Sequence, residues 1–84
     1  MSAQPTIFLN AWHAMAVATA HADSTKNTSA SLCIEDARQH MANGNPEKAI
    51  GRIRASLAHS VGIFHPDYMG IDVACGSVSK ATAQ

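Results

Sequence analysis

The chain has 84 residues, of which 46% are hydrophobic and 14% charged, and its six basic and six acidic side chains give no net charge. This length supports one domain, near the lower limit of independent stability. Because neither sign of charge is in excess, the composition argues against a broad nucleic-acid footprint and a polybasic membrane patch. We expect one small helical domain over residues 1–76 and a flexible tail over residues 77–84.

Alanine makes up a large part of the hydrophobic content. Sixteen residues are alanine, and large apolar side chains number 21 of 84. A domain of this size buries only roughly 60% of the surface that its unfolded chain exposes. The core is therefore thin, which favours closely packed helices and further burial between chains.

Neither a targeting segment nor a disulfide framework is expected. Residues 1–25 contain no Lys or Arg, so the positive region of a secretory signal is missing, and no apolar run is long enough to span a membrane. Cys33 and Cys75 are too few for a disulfide framework. We interpret both as reduced core residues, with a single disulfide as the alternative, and expect a cytoplasmic protein.

The first predicted helix runs from about residue 5 to residue 22. Its expected buried stripe follows the spacing i, i+4, i+7, i+8 and i+11, which places the side chains on one helical face. Residues 23–29 are capping and turn-forming residues that interrupt the helix. The stripe consists of Phe8, Trp12, Met15, Ala16 and Thr19.

A helical hairpin is predicted over the middle of the chain. The second helix runs from about residue 30 to residue 43, where Gly44 suits a left-handed position after a helix. Asn45 and Pro46 then suit the N-cap and first position of a third helix, which ends between residues 61 and 64. The short connection makes the two helices antiparallel neighbours.

The third helix presents two different faces. A large apolar stripe is expected to fill the core, and beside it runs a stripe of small residues, spaced as in interfaces where two backbones approach closely. We expect the small stripe to contact either the first helix or a second copy of the chain. The large stripe comprises Ile50, Ile53, Leu57, Val61 and Phe64, and the small stripe comprises Gly51, Ala55, Ala58 and Gly62.

The sequence after the third helix supports a short fourth helix over about residues 66–74. Proline disfavours helix at the residue before it and can itself begin a helix. The tetrapeptide at residues 65–68 is interpreted as a structural turn. Trp12, Phe64 and Tyr68 are interpreted as aromatic residues of the core or of a dimer interface, with a ligand-binding cluster as the alternative.

A short pattern surrounds the predicted turn at Gly44. A small residue, Ala37, lies in the helix before the turn, and Ala49, followed by Ile53, lies in the helix after it. In this arrangement residues 30–61 resemble a single helix pair of a tetratricopeptide repeat, which implies a helical hairpin and hints at peptide binding. The chain departs from the family pattern at Cys33, Asp36, His40 and Val61.

Five histidines are the compositional oddity of the chain. None is spaced as a metal-binding pair on one helix, since His13 and His21 would lie about 12 Å apart along a helix. No nucleophile elbow or phosphate-binding glycine loop accompanies them. We therefore assign no catalytic residue, no metal ligand and no cofactor, and interpret the histidines as surface or interface residues.

The basic residues of the third helix provide the main alternative. Gly44, Ile50 and Ile53 fit the spacing of a helix-turn-helix motif, and the same helix carries Arg52 and Arg54. Arg54 falls between the large and small stripes, where we interpret it as snorkelling or paired with an acidic residue, with an anion contact as the functional alternative. The neutral net charge argues against a nucleic-acid partner.

The sequence as a whole predicts an all-α fold, a small bundle of three or four helices built on an antiparallel hairpin. Its predicted function is a self-associating interaction protein, most simply a homodimer, because a thin core and a second packing face both favour burial between chains. A nucleic-acid-binding or small-ligand-binding module is the alternative. Another protein or peptide is a further candidate partner, and no membrane partner is expected. The expected interface comprises Gly51, Ala55, Ala58, Gly62, Trp12 and Phe64, with Arg52 and Arg54 as candidate polar or anion contacts.

Overall fold

A computed structural model of the chain describes residues 4–71 and confirms the predicted all-α bundle. Three helices of 15 residues each follow one another, and residues 66–71 form the described part of a fourth helix, α4. Within residues 4–71, no helix combines the length and the hydropathy that a membrane span requires. The three long helices are α1 (Ala11–Thr25), α2 (Thr28–Ala42) and α3 (Pro46–Ser60).

Helices α2 and α3 form the predicted antiparallel hairpin. At its open end the side-chain amide of Asn27 donates to the carbonyl of His59 at 2.9 Å. One turn further in, the Ser56 hydroxyl donates to the carbonyl of Ala30, also at 2.9 Å. The start of α2 therefore lies beside the end of α3. A single hairpin of this kind does not distinguish one helical family from another, so the tetratricopeptide resemblance stays a prediction.

The backbone of the turn between α2 and α3 has the predicted conformation. Gly44 has φ +76°, the left-handed conformation that glycine adopts without steric cost. The backbone N–H of Asn45 donates to the carbonyl of His40 at 2.8 Å, which satisfies one of the last carbonyls of α2. Asn45 holds the N-cap position and Pro46 begins α3, but the Asn45 side chain makes no capping hydrogen bond.

Helix α1 begins later than predicted, at Ala11 instead of about residue 5. The side-chain oxygen of Asn10 accepts a hydrogen bond from the His13 backbone N–H at 2.9 Å, so Asn10 caps the helix. Residues 4–10 are not helical. Instead, this N-terminal segment runs beside α4, where the Thr6 backbone N–H donates to the Pro66 carbonyl at 3.0 Å.

The break between α1 and α2 is shorter than the predicted run over residues 23–29. Lys26 adopts the left-handed conformation with φ 53°, and the next residue, Asn27, accepts a hydrogen bond from the Ala30 backbone N–H at 2.9 Å. One residue therefore ends α1 and the next caps α2, so two residues suffice for the turn.

The buried face of α1 differs from the predicted stripe. Trp12 is 55% exposed and Ala16 is exposed, so the prediction that they face the core is wrong. The helix instead turns its alanines inward, because small side chains let α1 approach the hairpin closely. The buried residues of α1 are Ala11, Ala14, Met15, Ala18 and Ala22.

The large stripe of α3 enters the core as predicted, up to the end of the helix. Ile50, Ile53 and Leu57 are buried, and Val61 packs partly buried against the same cluster. Phe64 was predicted to continue this stripe and does not. Because α3 ends at Ser60, the chain has left the helical path before Phe64, whose side chain is 86% exposed.

The predicted fourth helix begins at the expected position. Pro66 is its first helical residue, and Ile71 is fully buried against the core. The remainder of the predicted segment up to residue 74, together with Cys75 and the predicted tail over 77–84, lies outside the described residues. Gly70 is buried where the N-terminal segment crosses α4, and a Cβ atom there would collide with the Thr6 carbonyl.

Candidate functional site

Four polar side chains from three parts of the chain meet at one end of the bundle. Thr6 comes from the N-terminal segment, His21 from α1, and His65 and Asp67 from the beginning of α4. We call this group the His/Asp cluster. It is partly accessible, since the side chains of His21, His65 and Asp67 are 27%, 36% and 15% exposed.

The Asp67 carboxylate lies at the centre of the His/Asp cluster. Its Oδ2 accepts a hydrogen bond from His21 Nε2 at 2.5 Å, and its Oδ1 accepts one from the Thr6 hydroxyl. A carboxylate can only accept hydrogen bonds when ionised, so the proton in each contact belongs to the imidazole or the hydroxyl. Asp67 thereby joins the N-terminal segment to α1 and α4.

His65 lies beside His21, near the same carboxylate oxygen of Asp67. Its Nδ1 accepts a hydrogen bond from the Asp67 backbone N–H at 3.0 Å and lies 3.8 Å from Asp67 Oδ2. Because Nδ1 accepts, it carries the lone pair of the ring. The rings of His65 and His21 meet edge to face, with centroids 5.1 Å apart and planes inclined by 70°.

The pKa of Asp67 reflects opposing effects. Partial burial acts to raise the pKa of this carboxyl, because it disfavours the charged form. Hydrogen bonds from Thr6 and His21 and the attraction of both neighbouring histidines outweigh burial, so the pKa lies below its ordinary value. The carboxyl is therefore held ionised, as an acceptor.

The chemistry of the His/Asp cluster differs from that of a nucleophilic triad. In a triad the imidazole lies between the hydroxyl and the carboxylate and removes the hydroxyl proton. Here the carboxylate lies between Thr6 and His21, so no imidazole contacts the hydroxyl as a base. The arrangement suits holding a proton or a cation between the ring nitrogens and the carboxylate.

Sequence reasoning did not find this cluster. Its members are separated by up to 61 positions, and their meeting depends on the path of the N-terminal segment across α4. The one local signal is His65-Pro66-Asp67, in which two candidate donors flank a rigid proline. The sequence predicts a structural turn at this segment, and in the structure the segment leads into the first turn of α4.

A second feature adjoins the cluster: four large apolar side chains that face solvent. Ile7 and Leu9 are 85% and 75% exposed, and Ile63 and Phe64 are 53% and 86% exposed. We call these four residues the apolar rim. Ile7 follows Thr6 directly, and Phe64 precedes Pro66 by two residues, so the Thr6 to Pro66 hydrogen bond holds together the two backbone segments that carry the rim.

Trp12 lies apart from the cluster, on the side of α1 that faces α2. It lines a shallow cleft together with Met15, Thr19 and Arg38. Half of the indole remains in contact with solvent, as expected of an interface aromatic but not of a core residue.

The small stripe of α3 is partly retained. A Cβ atom added at Gly51 would meet no atom within 4 Å, so nothing in the described chain covers that position. Ala55 and Ala58 are partly buried. Gly62 lies beyond the end of α3 with φ +91°, so it does not continue the stripe as a helical residue.

The two arginines of interest have different surroundings. Arg52 pairs with Asp36 of α2 through an Nε to Oδ2 distance of 2.8 Å, across the hairpin. Arg54 is exposed and shares a shallow depression with Glu47 and Ile50. A surface ion pair such as the one at Arg52 contributes at most about 1 kcal/mol.

Comparison with protein-family models, with curated proteins and with solved structures found no match to this chain. Possible functions of the chain are therefore inferred from the geometry of the His/Asp cluster and of the apolar rim.

Proposed function

We propose that the chain is a small helical interaction protein that self-associates as a two-fold homodimer through the apolar rim. The observation that carries the proposal is the number of large apolar side chains left in solvent. Over residues 4–71, seven such side chains are buried, whereas six are exposed. The exposed ones are Ile7, Leu9, Trp12, Leu32, Ile63 and Phe64.

Burial of the rim would stabilise a dimer appreciably. Covering one Ile, Leu or Phe side chain contributes about 1.5–3 kcal/mol to the free energy of association. Both chains of a two-fold dimer bury the same residues, so each rim residue contributes twice. Isolated exposed apolar residues are normal on protein surfaces. The rim differs because its four residues occupy two segments that a backbone hydrogen bond holds together.

We place the principal contact at the rim and not on the small stripe of α3. Gly51, Ala55 and Ala58 carry little apolar surface, so covering them removes less area from water than covering Phe64 or Ile7. The stripe and Trp12 remain predicted interface residues, through which a second contact would extend the dimer.

Another protein or a peptide is the alternative occupant of the rim, and the tetratricopeptide resemblance of the hairpin favours a peptide. We place the protein in the cytoplasm, because two cysteines are too few for the disulfide framework typical of small secreted domains. The localisation does not affect the dimer test below.

The test is sedimentation equilibrium at micromolar concentrations on the wild type and on a double variant, Ile7→Ser with Phe64→Ser. We expect the wild type to dimerise and the double variant to dissociate at least roughly tenfold more readily, because each serine removes apolar contact area. The matched control is Leu32→Ser, which removes an exposed apolar side chain of α2 outside the rim. Its dissociation constant should stay within about twofold of wild type.

Two results would refute the rim as the interface. One is a wild type that stays monomeric over the whole concentration range. The other is equal weakening by Leu32→Ser and by the rim variant, which would show that general surface hydrophobicity drives association.

A further inference from the structure

We propose that His21, His65 and Asp67 bind one divalent zinc ion per chain. This site is separate from the apolar rim and does not depend on self-association. One donor atom from each of the three residues lies within 4.8 Å of the other two. The donors come from α1 and from the start of α4, so a bound ion would link two elements that are remote in the sequence.

The donor set favours zinc over the alkaline-earth ions. Two imidazole nitrogens and one carboxylate oxygen are ligands that zinc and its transition-metal neighbours prefer, whereas magnesium and calcium prefer oxygen ligands alone. Three protein ligands leave the fourth tetrahedral position open. The partial exposure of all three side chains gives an ion a path from solvent to the site.

The donor separations are close to those that zinc requires. With bonds of about 2.0–2.1 Å, a tetrahedral ion places neighbouring donors roughly 3.3 Å apart. In the structure Asp67 Oδ2 lies 2.5 Å from His21 Nε2 and 3.8 Å from His65 Nδ1. The first distance must lengthen and the second shorten by less than about 1 Å, and the two histidine donor atoms, which lie within 4.8 Å of each other, must approach by up to about 1.5 Å. The ion would replace the proton that His21 Nε2 now donates to Asp67 Oδ2.

Neighbouring groups orient the carboxylate toward such an ion. The Thr6 hydroxyl donates to Asp67 Oδ1, which leaves Oδ2 for the metal, as outer hydrogen bonds do around metal-bound carboxylates. His65 Nδ1 directs its lone pair at the Asp67 backbone N–H and lies 3.8 Å from Asp67 Oδ2. Zinc binding there exchanges one hydrogen bond, from the Asp67 backbone N–H, for a metal–nitrogen bond.

The sequence predicts no metal ligand, because no two histidines have metal-binding spacing on one helix. Spacing rules describe ligands that share one helix or loop. The three donors here converge through tertiary packing, which such rules do not describe.

The test is isothermal titration of chelator-treated full-length protein with zinc chloride, with cobalt substitution as a spectroscopic check. We expect one zinc per chain, visible absorption typical of four-coordinate cobalt, and a higher melting temperature with zinc but not with magnesium. His65→Ala should weaken zinc binding by roughly tenfold or more. His40→Ala and His59→Ala are matched controls, because both remove a histidine outside the cluster.

His65→Ala is the informative variant, because the contacts of its ring within the cluster are with Asp67 and His21, and circular dichroism without metal verifies that it still folds. Wild-type protein without saturable zinc binding would overturn the proposal. So would a stoichiometry of one zinc per two chains, or equal weakening by His65→Ala and the control variants. The first result rejects the site, the second indicates one ion shared between two chains, and the third indicates binding by scattered surface histidines.

Discussion

Ser56 shows how one polar group is accommodated in a thin, alanine-rich core. Its side chain is fully buried between α2 and α3, and its hydroxyl donates to the Ala30 carbonyl at 2.9 Å. A buried hydroxyl without a partner would be destabilising, so this hydrogen bond makes the position acceptable. It also determines the register of the hairpin, because it joins particular turns of the two helices.

We predict that Ser56→Ala lowers the free energy of unfolding by about 1 kcal/mol through loss of this hydrogen bond. Chemical denaturation monitored by circular dichroism measures the change. Ser60→Ala is the control, since the Ser60 hydroxyl bonds only to carbonyls of its own helix, including that of Ser56 at 2.9 Å. If both variants lose the same stability, the hydrogen bond across the hairpin contributes nothing specific.

Gly70 provides a second test at the scale of one residue. A side chain there would meet the Thr6 backbone, so the close approach of the N-terminal segment to α4 requires glycine. We predict that Gly70→Ala destabilises the protein by roughly 1–3 kcal/mol, because backbone atoms must move apart. The measurement is the midpoint of urea unfolding.

Gly51→Ala is the matched control for Gly70→Ala. Position 51 lies within α3 and has no neighbour within 4 Å of an added Cβ, so alanine should stabilise the helix by about 1 kcal/mol. Opposite signs at the two positions are expected. A stable Gly70→Ala variant would mean that the N-terminal segment does not pack against α4 in solution.

At the scale of elements, local signals predicted which helices form better than which faces they bury. Gly44 and Pro46 define their turn correctly because the backbone conformations they favour do not depend on the rest of the fold. The face of α1 could not be predicted in the same way. Wheel analysis gave weight to Trp12 as a large residue, whereas close packing on the hairpin requires the alanines.

Helix α1 ends at a residue whose backbone conformation is unfavourable. Lys26 adopts the left-handed conformation at φ 53°, where glycine is normally preferred because a Cβ atom is strained there. We predict that Lys26→Gly raises the free energy of unfolding by up to about 1 kcal/mol, measured by thermal denaturation. Ala20→Gly, at an exposed position inside the same helix, should instead cost about 1 kcal/mol. A Lys26→Gly variant that is as destabilised as Ala20→Gly would contradict the assigned end of α1.

At the scale of the whole molecule, the N-terminal segment links the two candidate features. Thr6 contributes to the His/Asp cluster and its neighbour Ile7 to the apolar rim. The sequence predicted neither feature as a unit. The sequence predicts that the first helix begins at about residue 5, and without the non-helical path of residues 4–10 Thr6 and Pro66 have no reason to meet.

The thin core predicted from composition is also seen in the buried residues of the structure. Half of the fourteen buried hydrophobic residues over residues 4–71 are alanine, while the most exposed large side chain is Phe64, at 86%. Small side chains allow close helix packing, and the large ones left outside remain available for a partner. We therefore expect this surface to self-associate.

The most direct test is the molar mass of the wild-type chain by size-exclusion chromatography with light scattering at micromolar concentration. We predict a mass near twice that of the 8.8 kDa chain, falling toward the monomer value on dilution. A mass of 8.8 kDa at every concentration would contradict this prediction.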